Sequence, residues 1–307
     1  MYAQRMTKLQ PSPDHRALGK SGMLVSPLAW GMWRFKGDDV AAARTRVDAA
    51  FEAGITLFDT ADIYGPDNGE AFGASEALLG RVFAEDKSAR RRMTLASKGG
   101  IVIGTPYDSS AAYIEAAIDA SLRRLGVERI DLWQIHRPDV LTHPHEIAHA
   151  FEKAYARGKV VAFGVSNFTA AQTAALVRHM PMPLASTQPE LSALTLDPIE
   201  NGLLDQAMEE NIGVLAWSPL GGGRIASPTT EREHAVAAVL DRVAEQHGVS
   251  RTAAALSWLM VHPARPIPIV GSQTPARIRE SADALKVAWT RAEWYEVLVA
   301  SRGEPLP

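Results

Sequence analysis

The chain contains no cysteine and has almost no charge imbalance. Its 307 residues include 32 basic and 35 acidic side chains, so its formal net charge is −3 and its isoelectric point is near 6.3. The absence of cysteine excludes disulfides, thiolate nucleophiles and cysteine-ligated metals. Because neither sign of charge dominates, we expect no nucleic-acid partner and no binding to anionic membranes.

Long hydrophobic runs are also missing. No segment approaches the roughly 20 consecutive apolar residues that a membrane-spanning helix needs. The N-terminal stretch MYAQRMTKLQ lacks the apolar core of a secretion signal. We therefore expect a cytoplasmic protein. The apolar content of 46% suffices for a large core, and we expect one α/β domain over residues 1–307.

Eight apolar runs have the length and composition of buried strands. They are Leu28–Met32, Thr56–Asp59, Met93–Lys98, Ile130–His136, Val160–Val165, Leu184–Gln188, Gly213–Ser218 and Pro266–Gly271. Helical patterns lie between these runs, and several end at a glycine, which is typical of helix C-termini. The predicted helices are Val40–Ala53, Ser75–Phe83, Ser109–Leu125, Pro144–Arg157, Thr169–Arg178, Leu203–Asn211, Arg232–Gln246, Ser250–Val261, Arg277–Leu285 and Arg291–Ala300.

Eightfold strand–helix alternation predicts a parallel sheet that is buried on both faces. Eight such units close as a (β/α)8 TIM barrel. The alternative is an open doubly wound sheet, which normally carries a G-x-G-x-x-G turn after its first strand; LAWGMWRF lacks that turn. Two Gly- and Pro-punctuated segments, Met6–Leu18 and Gly22–Pro27, predict an N-terminal β-hairpin. The last two helices are predicted to be extra C-terminal elements.

Polar side chains stand where the predicted strands end. Asp59, Lys98 and His136 each close one strand, and Tyr64 follows Asp59 in the same loop. In a barrel, the C-terminal ends of the strands form one rim, which is where such enzymes place their active sites. We therefore expect these four side chains to lie together.

The four residue types are suited to proton transfer. A tyrosine has an ordinary pKa of about 10, and we expect the cation of Lys98 to lower the pKa of Tyr64. Asp59 would keep Lys98 charged, and His136 would polarise a carbonyl oxygen placed between it and Tyr64. Because this set contains no nucleophile, the electrons of a reduction would come from a nicotinamide hydride.

FDTADIYG, SKGG, QIHRPD and GVSNF together resemble motifs of the aldo-keto reductases, NADPH-dependent (β/α)8 barrels that reduce aldehydes and ketones. The resemblance spans nearly the whole chain from Leu18. It implies catalytic roles for Asp59, Tyr64, Lys98 and His136, and a substrate site that includes Trp33, Tyr64 and His136. It further implies NADP(H) as cofactor, a small-molecule carbonyl substrate, no metal, and a monomer.

The same resemblance assigns cofactor residues. Ser166, Asn167 and Gln188 should hold the nicotinamide carboxamide, and Trp217 should stack on the ring. The residues expected at the pyrophosphate are Ser218, Leu220 and Gly222. Those expected around the adenosine 2′-phosphate are Ser272 and Arg277, with Thr274 and Glu280 nearby. Gly31 and Met32 complete the predicted cofactor cleft.

Three positions depart from the family pattern. Trp217 stands where tyrosine or phenylalanine is usual, and an indole also stacks. Gly271 stands where one large branch has lysine, and Ser281 where asparagine is usual. We still include Gly271 and Ser281 in the cofactor site and expect NADP(H) to be preferred. The loops after the fourth and seventh strands are short, which implies an open pocket with little substrate selectivity.

Two other functions fit parts of the sequence. His145–His149 reads HEIAH, a pattern of zinc hydrolases in which two histidines lie one helical turn apart. However, Glu152 and Tyr155 stand where a metzincin would continue with glycine and histidine. A cofactor-binding regulatory subunit is the second alternative, because some relatives accompany membrane channels; the complete set of four residues disfavours it.

Overall fold

The computed structural model of the chain describes residues 8–307. Its centre is a closed barrel of eight parallel strands. The barrel strands are β3 (Ala29–Gly31), β4 (Leu57–Asp59), β5 (Thr94–Gly99), β8 (Ile130–Ile135), β9 (Val160–Ser166), β10 (Ser186–Gln188), β11 (Gly213–Ala216) and β12 (Ile267–Val270). Their order around the barrel is β10-β11-β12-β3-β4-β5-β8-β9. Each lies within or next to one of the eight predicted runs, so the predicted (β/α)8 barrel is confirmed.

Helices surround the barrel in the described part of the chain. They are α1 (Val40–Glu52), α2 (Ala74–Glu85), α3 (Lys87–Arg91), α4 (Ala111–Leu125), α5 (Pro144–Ala156), α6 (Ala170–Val177), α7 (Asp197–Glu200), α8 (Leu203–Glu210), α9 (Glu231–His247), α10 (Arg251–Met260), α11 (Pro275–Glu280) and α12 (Arg291–Arg302). The predicted helix Arg277–Leu285 is two elements, because α11 passes into a 3₁₀ segment at Ser281–Lys286. Local capping fixes several helix starts; Thr230 and Thr290, for example, form capping boxes at α9 and α12.

The N-terminal hairpin closes the lower end of the barrel. It is shorter than predicted, with two-residue strands β1 (Arg16–Ala17) and β2 (Leu24–Val25); the start of the predicted segment, residues 6–7, lies outside the described residues. Leu18 and Val25 pack in one apolar cluster with inward residues of the barrel strands. A second hairpin at the upper rim, β6 (Ile101–Val102) with β7 (Thr105–Tyr107), was not predicted.

Strand alternation separates the barrel interior into an apolar layer and a polar layer. Successive side chains of a strand point to opposite faces. The interior apolar cluster contains Leu57, Ala96 and Leu132, so residues two positions further along these strands, Asp59, Lys98 and Gln134, also point inward. The residues between them, such as Phe58 and Trp133, pack outward in the core under the helices. The polar layer is therefore a direct consequence of strand register.

Candidate active site

A fully buried ion pair lies at the centre of the upper barrel. The Lys98 ammonium is 2.6 Å from Oδ2 of Asp59, and the two side chains are 0% and 3% exposed. The ammonium also donates to the carbonyl oxygen of Thr60 at 2.9 Å. The strand register brings the pair together, because β4 and β5 are hydrogen-bonded neighbours.

The other carboxylate oxygen of Asp59 faces the opposite side of the barrel. Gln188 on β10 donates its amide N–H to Oδ1 at 3.0 Å. The amide nitrogen of Gln134 lies 3.5 Å from the same oxygen, and the Gln134 carbonyl accepts from the Ser186 hydroxyl at 3.1 Å. Buried charges are tolerated only when their remaining lone pairs and protons are satisfied. The amides of Gln134 and Gln188 help to meet that requirement.

Tyr64 and His136 complete the set at the rim. The loop after β4 is anchored where the amide of Asp62 donates to the Lys98 carbonyl at 2.9 Å. This loop brings the Tyr64 ring centroid to 5.0 Å from the Lys98 ammonium. The rings of Tyr64 and His136 are nearly perpendicular, with centroids 5.8 Å apart. The four side chains that the sequence singled out therefore converge at one end of the barrel.

The protonation states differ in one respect from the expectation. Burial alone would lower the pKa of Lys98, but the charge of Asp59, together with Tyr64, raises this pKa above its usual value. Burial likewise raises the pKa of Tyr64, and the attraction of Lys98 offsets that rise only in part. The predicted lowering of the pKa of Tyr64 is thus wrong in direction. Burial, followed by the charges of Lys98 and Arg137, lowers the pKa of His136 well below its usual value.

These shifts define the ionisation of the site at neutral pH. Lys98 is an ammonium in contact with the Asp59 carboxyl group, Tyr64 keeps its phenolic proton, and the imidazole of His136 is neutral. Nδ1 of His136 is buried without a hydrogen-bond partner among the described residues. A neutral imidazole donates from one ring nitrogen only. The site therefore holds two neutral donors beside one buried cation.

A hydrogen-bonded chain connects His136 to the predicted cofactor side. Asn167 donates its amide to the carbonyl of His136 at 3.1 Å and to the Ser166 hydroxyl at 2.8 Å. Its own oxygen accepts from the Trp217 indole at 3.0 Å, and the Ser166 hydroxyl donates to the carbonyl of Gln188 at 2.8 Å. Asn167 has a positive φ of 61°, a conformation that asparagine tolerates better than most residues.

The remaining predicted cofactor residues follow neighbouring strands. Ser218, Leu220 and Gly222 lie after β11, and Gly31 and Met32 lie at the end of β3 and are buried. The rest follow β12: Gly271, Ser272, Thr274, Arg277, Glu280 and Ser281. Since β9 to β12 and β3 are consecutive around the barrel, the segments that carry the predicted cofactor residues follow one continuous arc of the rim. The four predicted catalytic residues come from the next strands around the barrel, β4, β5 and β8, and from the loop after β4.

This arc has features that fit a dinucleotide. The backbone at Gly222 and at Gly271 faces open space, since a Cβ added at either position would meet no atom within 4 Å. Gln188 Oε1 accepts no hydrogen bond from the described residues, and Asn167 Oδ1 accepts one of the two that an amide oxygen can take. Arg277 is exposed and has no ion-pair partner in residues 8–307. Ser281 differs, because it is buried and its hydroxyl donates to the Ile278 carbonyl at 2.6 Å.

Trp33, predicted at the substrate site, is 46% exposed. Its indole donates to Asp67 at 3.3 Å, and its carbonyl accepts from the Asn68 amide at 2.6 Å. Both partners belong to the 3₁₀ segment Pro66–Asn68 that directly follows Tyr64 and Gly65. The exposed indole is therefore attached by hydrogen bonds to the loop that carries the Tyr64 phenol.

The sequence interpretation missed three polar residues of this region. Gln134 lies in the strand run that ends at His136, and the strand alternation alone could have identified it as inward-facing. Gln273 donates to the Gly31 carbonyl at 3.0 Å, while its Oε1 is buried without a partner among the described residues. Arg137 has its guanidinium carbon 5.5 Å from the Trp217 ring centroid.

A second buried acidic group lies behind the loop that carries Tyr64. Burial, and next the charge of Glu76, raise the pKa of Asp62 to about 8. Glu76 is itself fully buried, and it accepts from Arg124 at 2.7 Å and from the Ser97 hydroxyl at 2.5 Å. Tyr113 donates to Oδ2 of Asp62 at 3.3 Å, whereas Oδ1 has no partner among the described residues. Asp62 is therefore neutral at pH 7.

The HEIAH pattern does not form a metal centre with neighbouring residues. His145, Glu146 and His149 are exposed on α5, and the Glu146 carboxylate accepts from the amide of Ala111 at the start of α4. A search of residues 8–307 finds no group of three or more His, Asp or Glu side chains placed to hold a metal ion. In the same residues, no helix has both the length and the apolar character needed to cross a membrane.

Comparison with known proteins agrees with this geometry. A model of the aldo/keto reductase family matches residues 27–298, and the chain belongs to this family. A 6-dehydroglucose reductase of Novosphingobium aromaticivorans is 58% identical over 304 residues, which cover 98% of this chain and 100% of that protein. An L-glyceraldehyde 3-phosphate reductase of Escherichia coli is 30% identical, with 89% of this chain and 87% of that protein covered.

A solved structure has the same fold. The thermostable aldo-keto reductase Tm1743, crystallised with the inhibitor epalrestat, superposes with a TM-score of 0.79 and 22% identity. The match covers 93% of this chain and 99% of that chain. The family and its members named as reductases identify this chain as an oxidoreductase that acts on carbonyl compounds.

The raised pKa of Asp62 predicts a pH dependence of stability. In the unfolded chain Asp62 releases its proton near pH 4, whereas in the folded protein it does so near pH 8. Its contribution is therefore fully present below about pH 4 and is lost as the pH rises through about 8. Asp62→Asn cannot ionise, so we expect its free energy of unfolding to fall less between about pH 6 and 9 than that of the unaltered protein.

Denaturant titrations at several pH values measure this difference. Asp38→Asn is the matched control, because Asp38 is an exposed aspartate, and it should leave the pH dependence unchanged. Parallel pH curves for Asp62→Asn and the unaltered protein would show that Asp62 is ionised at neutral pH in the fold.

Proposed function

We propose that this protein is an NADPH-dependent reductase of aldehydes and ketones in which Tyr64 is the general acid. The observation that carries the proposal is the convergence of Tyr64 and His136 over the buried Asp59–Lys98 pair. When NADPH is bound, it would supply the hydride that reduces the carbonyl carbon. The four side chains would donate the proton and stabilise the negative charge that develops on the carbonyl oxygen.

The substrate carbonyl oxygen would lie between the phenol of Tyr64 and the imidazole of His136. Because both groups are neutral, each can donate a hydrogen bond to that oxygen. As negative charge develops on the oxygen, Tyr64 would transfer its proton and become a phenolate. The Lys98 ammonium next to the ring would stabilise that anion, and such preorganised charge is worth most where water is excluded.

This role explains why a raised pKa of Tyr64 is compatible with catalysis. A general acid must hold its proton before the reaction and release it during the reaction. Burial ensures the first condition, and Lys98 favours the second by offsetting part of the cost of the phenolate. Asp59 would act indirectly, because it keeps Lys98 charged in an environment that otherwise favours the neutral amine.

The cofactor would lie across the arc of the rim formed by the loops after β9 to β12 and β3. We propose that Ser166, Asn167 and Gln188 bind its carboxamide and that Trp217 stacks on the nicotinamide. The open backbone at Gly222 would approach the pyrophosphate. Arg277 would pair with the adenosine 2′-phosphate, since a guanidinium forms strong charge-assisted hydrogen bonds to phosphate.

We further propose a hydroxylated, sugar-type aldehyde as substrate. Support comes from the relatives named for 6-dehydroglucose and for L-glyceraldehyde 3-phosphate, the first of which is 58% identical over almost the whole chain.

Replacing Tyr64 by phenylalanine tests the proton donor. General acid catalysis typically contributes between about a hundredfold and ten-thousandfold, so Tyr64→Phe should lower kcat for 4-nitrobenzaldehyde by at least about a hundredfold. Removal of one hydroxyl should leave the Kd for NADPH within about threefold. Steady-state kinetics and fluorescence titration measure the two quantities.

Tyr155→Phe is the matched control, because Tyr155 is exposed on α5, and it should keep full activity. Full activity of Tyr64→Phe would disprove the assignment. Tight binding of NADPH without turnover by the unaltered protein would instead favour a regulatory role.

Replacing Arg277 tests the choice between the two nicotinamide cofactors. A hydrogen bond to a charged group contributes about 1.5–3 kcal/mol, so Arg277→Met should raise the Kd for NADPH by about tenfold or more. The Kd for NADH should change by less than about twofold, because NADH lacks the 2′-phosphate. Arg279→Met is a control on the same helix, since Arg279 pairs with Glu52. Equal weakening of both cofactors by Arg277→Met would contradict the assignment.

A further inference from the structure

Arg137 is a cation at the active site that the proposed mechanism does not use. It directly follows His136 after β8 and is half-buried. Its guanidinium carbon lies 5.5 Å from the centroid of the Trp217 ring. The indole of Trp217 is held in turn by its hydrogen bond to Asn167. The guanidinium therefore has a fixed aromatic support on the side of the pocket formed by β11.

No carboxylate of the described residues neutralises this guanidinium. Among the ion pairs of residues 8–307, none within 4.0 Å involves Arg137. The nearest acidic residue along the chain, Asp139, accepts from the amides of Ser109 and Leu141 at 2.9 Å each, and from the Thr142 hydroxyl. Asp59 is engaged by Lys98 and Gln188. The N–H donors of Arg137 therefore form no ion pair with Asp139 or Asp59.

The charge of Arg137 acts on both groups that would touch the substrate oxygen. After burial and Lys98, it is the next cause that lowers the pKa of His136. It also lowers the pKa of Tyr64, although less than burial raises it. The guanidinium charge is therefore close enough to His136 and Tyr64 to influence both side chains. An arginine has five N–H donors in one plane and no acceptor, so its complement is an oxygen of the substrate.

We propose that Arg137 is a specificity-determining residue that binds an oxygen acceptor on the carbon next to the reacting carbonyl, and thereby selects α-hydroxy aldehydes. This inference rests on the proposed reductase function. The cation–π contact with Trp217 keeps the guanidinium beside the indole, and its N–H donors remain available for a hydroxyl oxygen of the substrate. A planar, preorganised donor loses little side-chain entropy when it binds such an oxygen.

Packing against Trp217 is the simpler explanation of the same contact. If Arg137 only supported the indole, its replacement would impair all substrates alike, because Trp217 would shift for each of them. A role in recognition predicts a loss that depends on the substrate hydroxyl. The two explanations therefore differ in whether replacement of Arg137 changes the ratio of kcat/KM for a hydroxylated aldehyde to kcat/KM for one without hydroxyls.

Glyceraldehyde and 2-methylbutanal form a matched pair of substrates for this test. Each hydroxyl of glyceraldehyde is a methyl group in 2-methylbutanal, so their sizes are similar. Both are measured with NADPH on the unaltered protein, on Arg137→Met and on Arg137→Lys. Methionine keeps much of the length of arginine without its donors, whereas lysine keeps the charge. Because the same aldehydes are used with every variant, their hydration in water cancels from the change in ratio.

Arg137→Met should lower kcat/KM for glyceraldehyde by about tenfold to a hundredfold, as expected for a lost hydrogen bond to a charged donor. The value for 2-methylbutanal should change by less than about threefold. Arg137→Lys should retain part of the preference. Arg92→Met is the matched control, since Arg92 lies 3.9 Å from the centroid of the Phe51 ring outside the active site; it should leave both values unchanged.

Equal losses for both aldehydes, or no loss for either, would overturn the role of Arg137 and leave the reductase function intact. Glyoxylate, in which a carboxylate bonded to the aldehyde carbon replaces the hydroxylated carbons, separates the two kinds of acceptor. A loss with glyoxylate but not with glyceraldehyde would overturn the hydroxyl assignment in favour of an anion. If the unaltered protein reduces neither aldehyde nor any other carbonyl compound, the proposed function fails, and the inference fails with it. Thermal unfolding of each variant identifies any loss that is due to misfolding.

Discussion

The buried ion pair between Lys98 and Asp59 is the constraint on which the rest of the site depends. Two charges without solvent exposure are costly, and their mutual attraction rarely exceeds the desolvation penalty unless every remaining polar atom is satisfied. The Thr60 carbonyl and the Gln188 amide supply that satisfaction. Loss of one partner from such a pair typically costs about 3–5 kcal/mol. A barrel optimised for stability alone would place apolar side chains here, so the pair is best explained by chemistry.

The barrel makes this arrangement possible because its apolar packing core and its polar site lie at different levels along the strand direction. Its lower interior is apolar and is closed by the N-terminal hairpin through Leu18 and Val25. Its upper interior holds the polar layer, which opens to the rim. Strand alternation links the two, since Leu57 and Asp59 lie on the same face of one strand. Packing of the lower layer therefore fixes the height and direction of Asp59, Lys98 and Gln134.

Much of this could be predicted from the sequence, for identifiable physical reasons. Strands buried on both faces are continuous apolar runs, and the polar residues that end them must meet at one rim. This reasoning located Asp59, Lys98 and His136 correctly. It failed for the pKa of Tyr64, because the depth of burial is set by the whole fold and outweighs a single neighbouring charge. The rim hairpin Ile101–Tyr107 is local, but its strands of two and three residues are too short for a recognisable alternation of apolar and polar residues. The contact of Arg137 with Trp217, by contrast, joins segments that are distant in sequence.

The most direct test of the account is the protonation state of the Lys98 side chain in the folded protein. Nitrogen-15 NMR distinguishes an ammonium from a neutral amine, and the spectrum of Lys98→Met identifies the resonance of Lys98. Because the Asp59–Lys98 pair raises the pKa of Lys98 above its usual value, the account predicts an ammonium at pH 7 that persists to at least about pH 9. A neutral amine at pH 7 would contradict it, since Lys98 could then neither pair with Asp59 nor stabilise a phenolate at Tyr64.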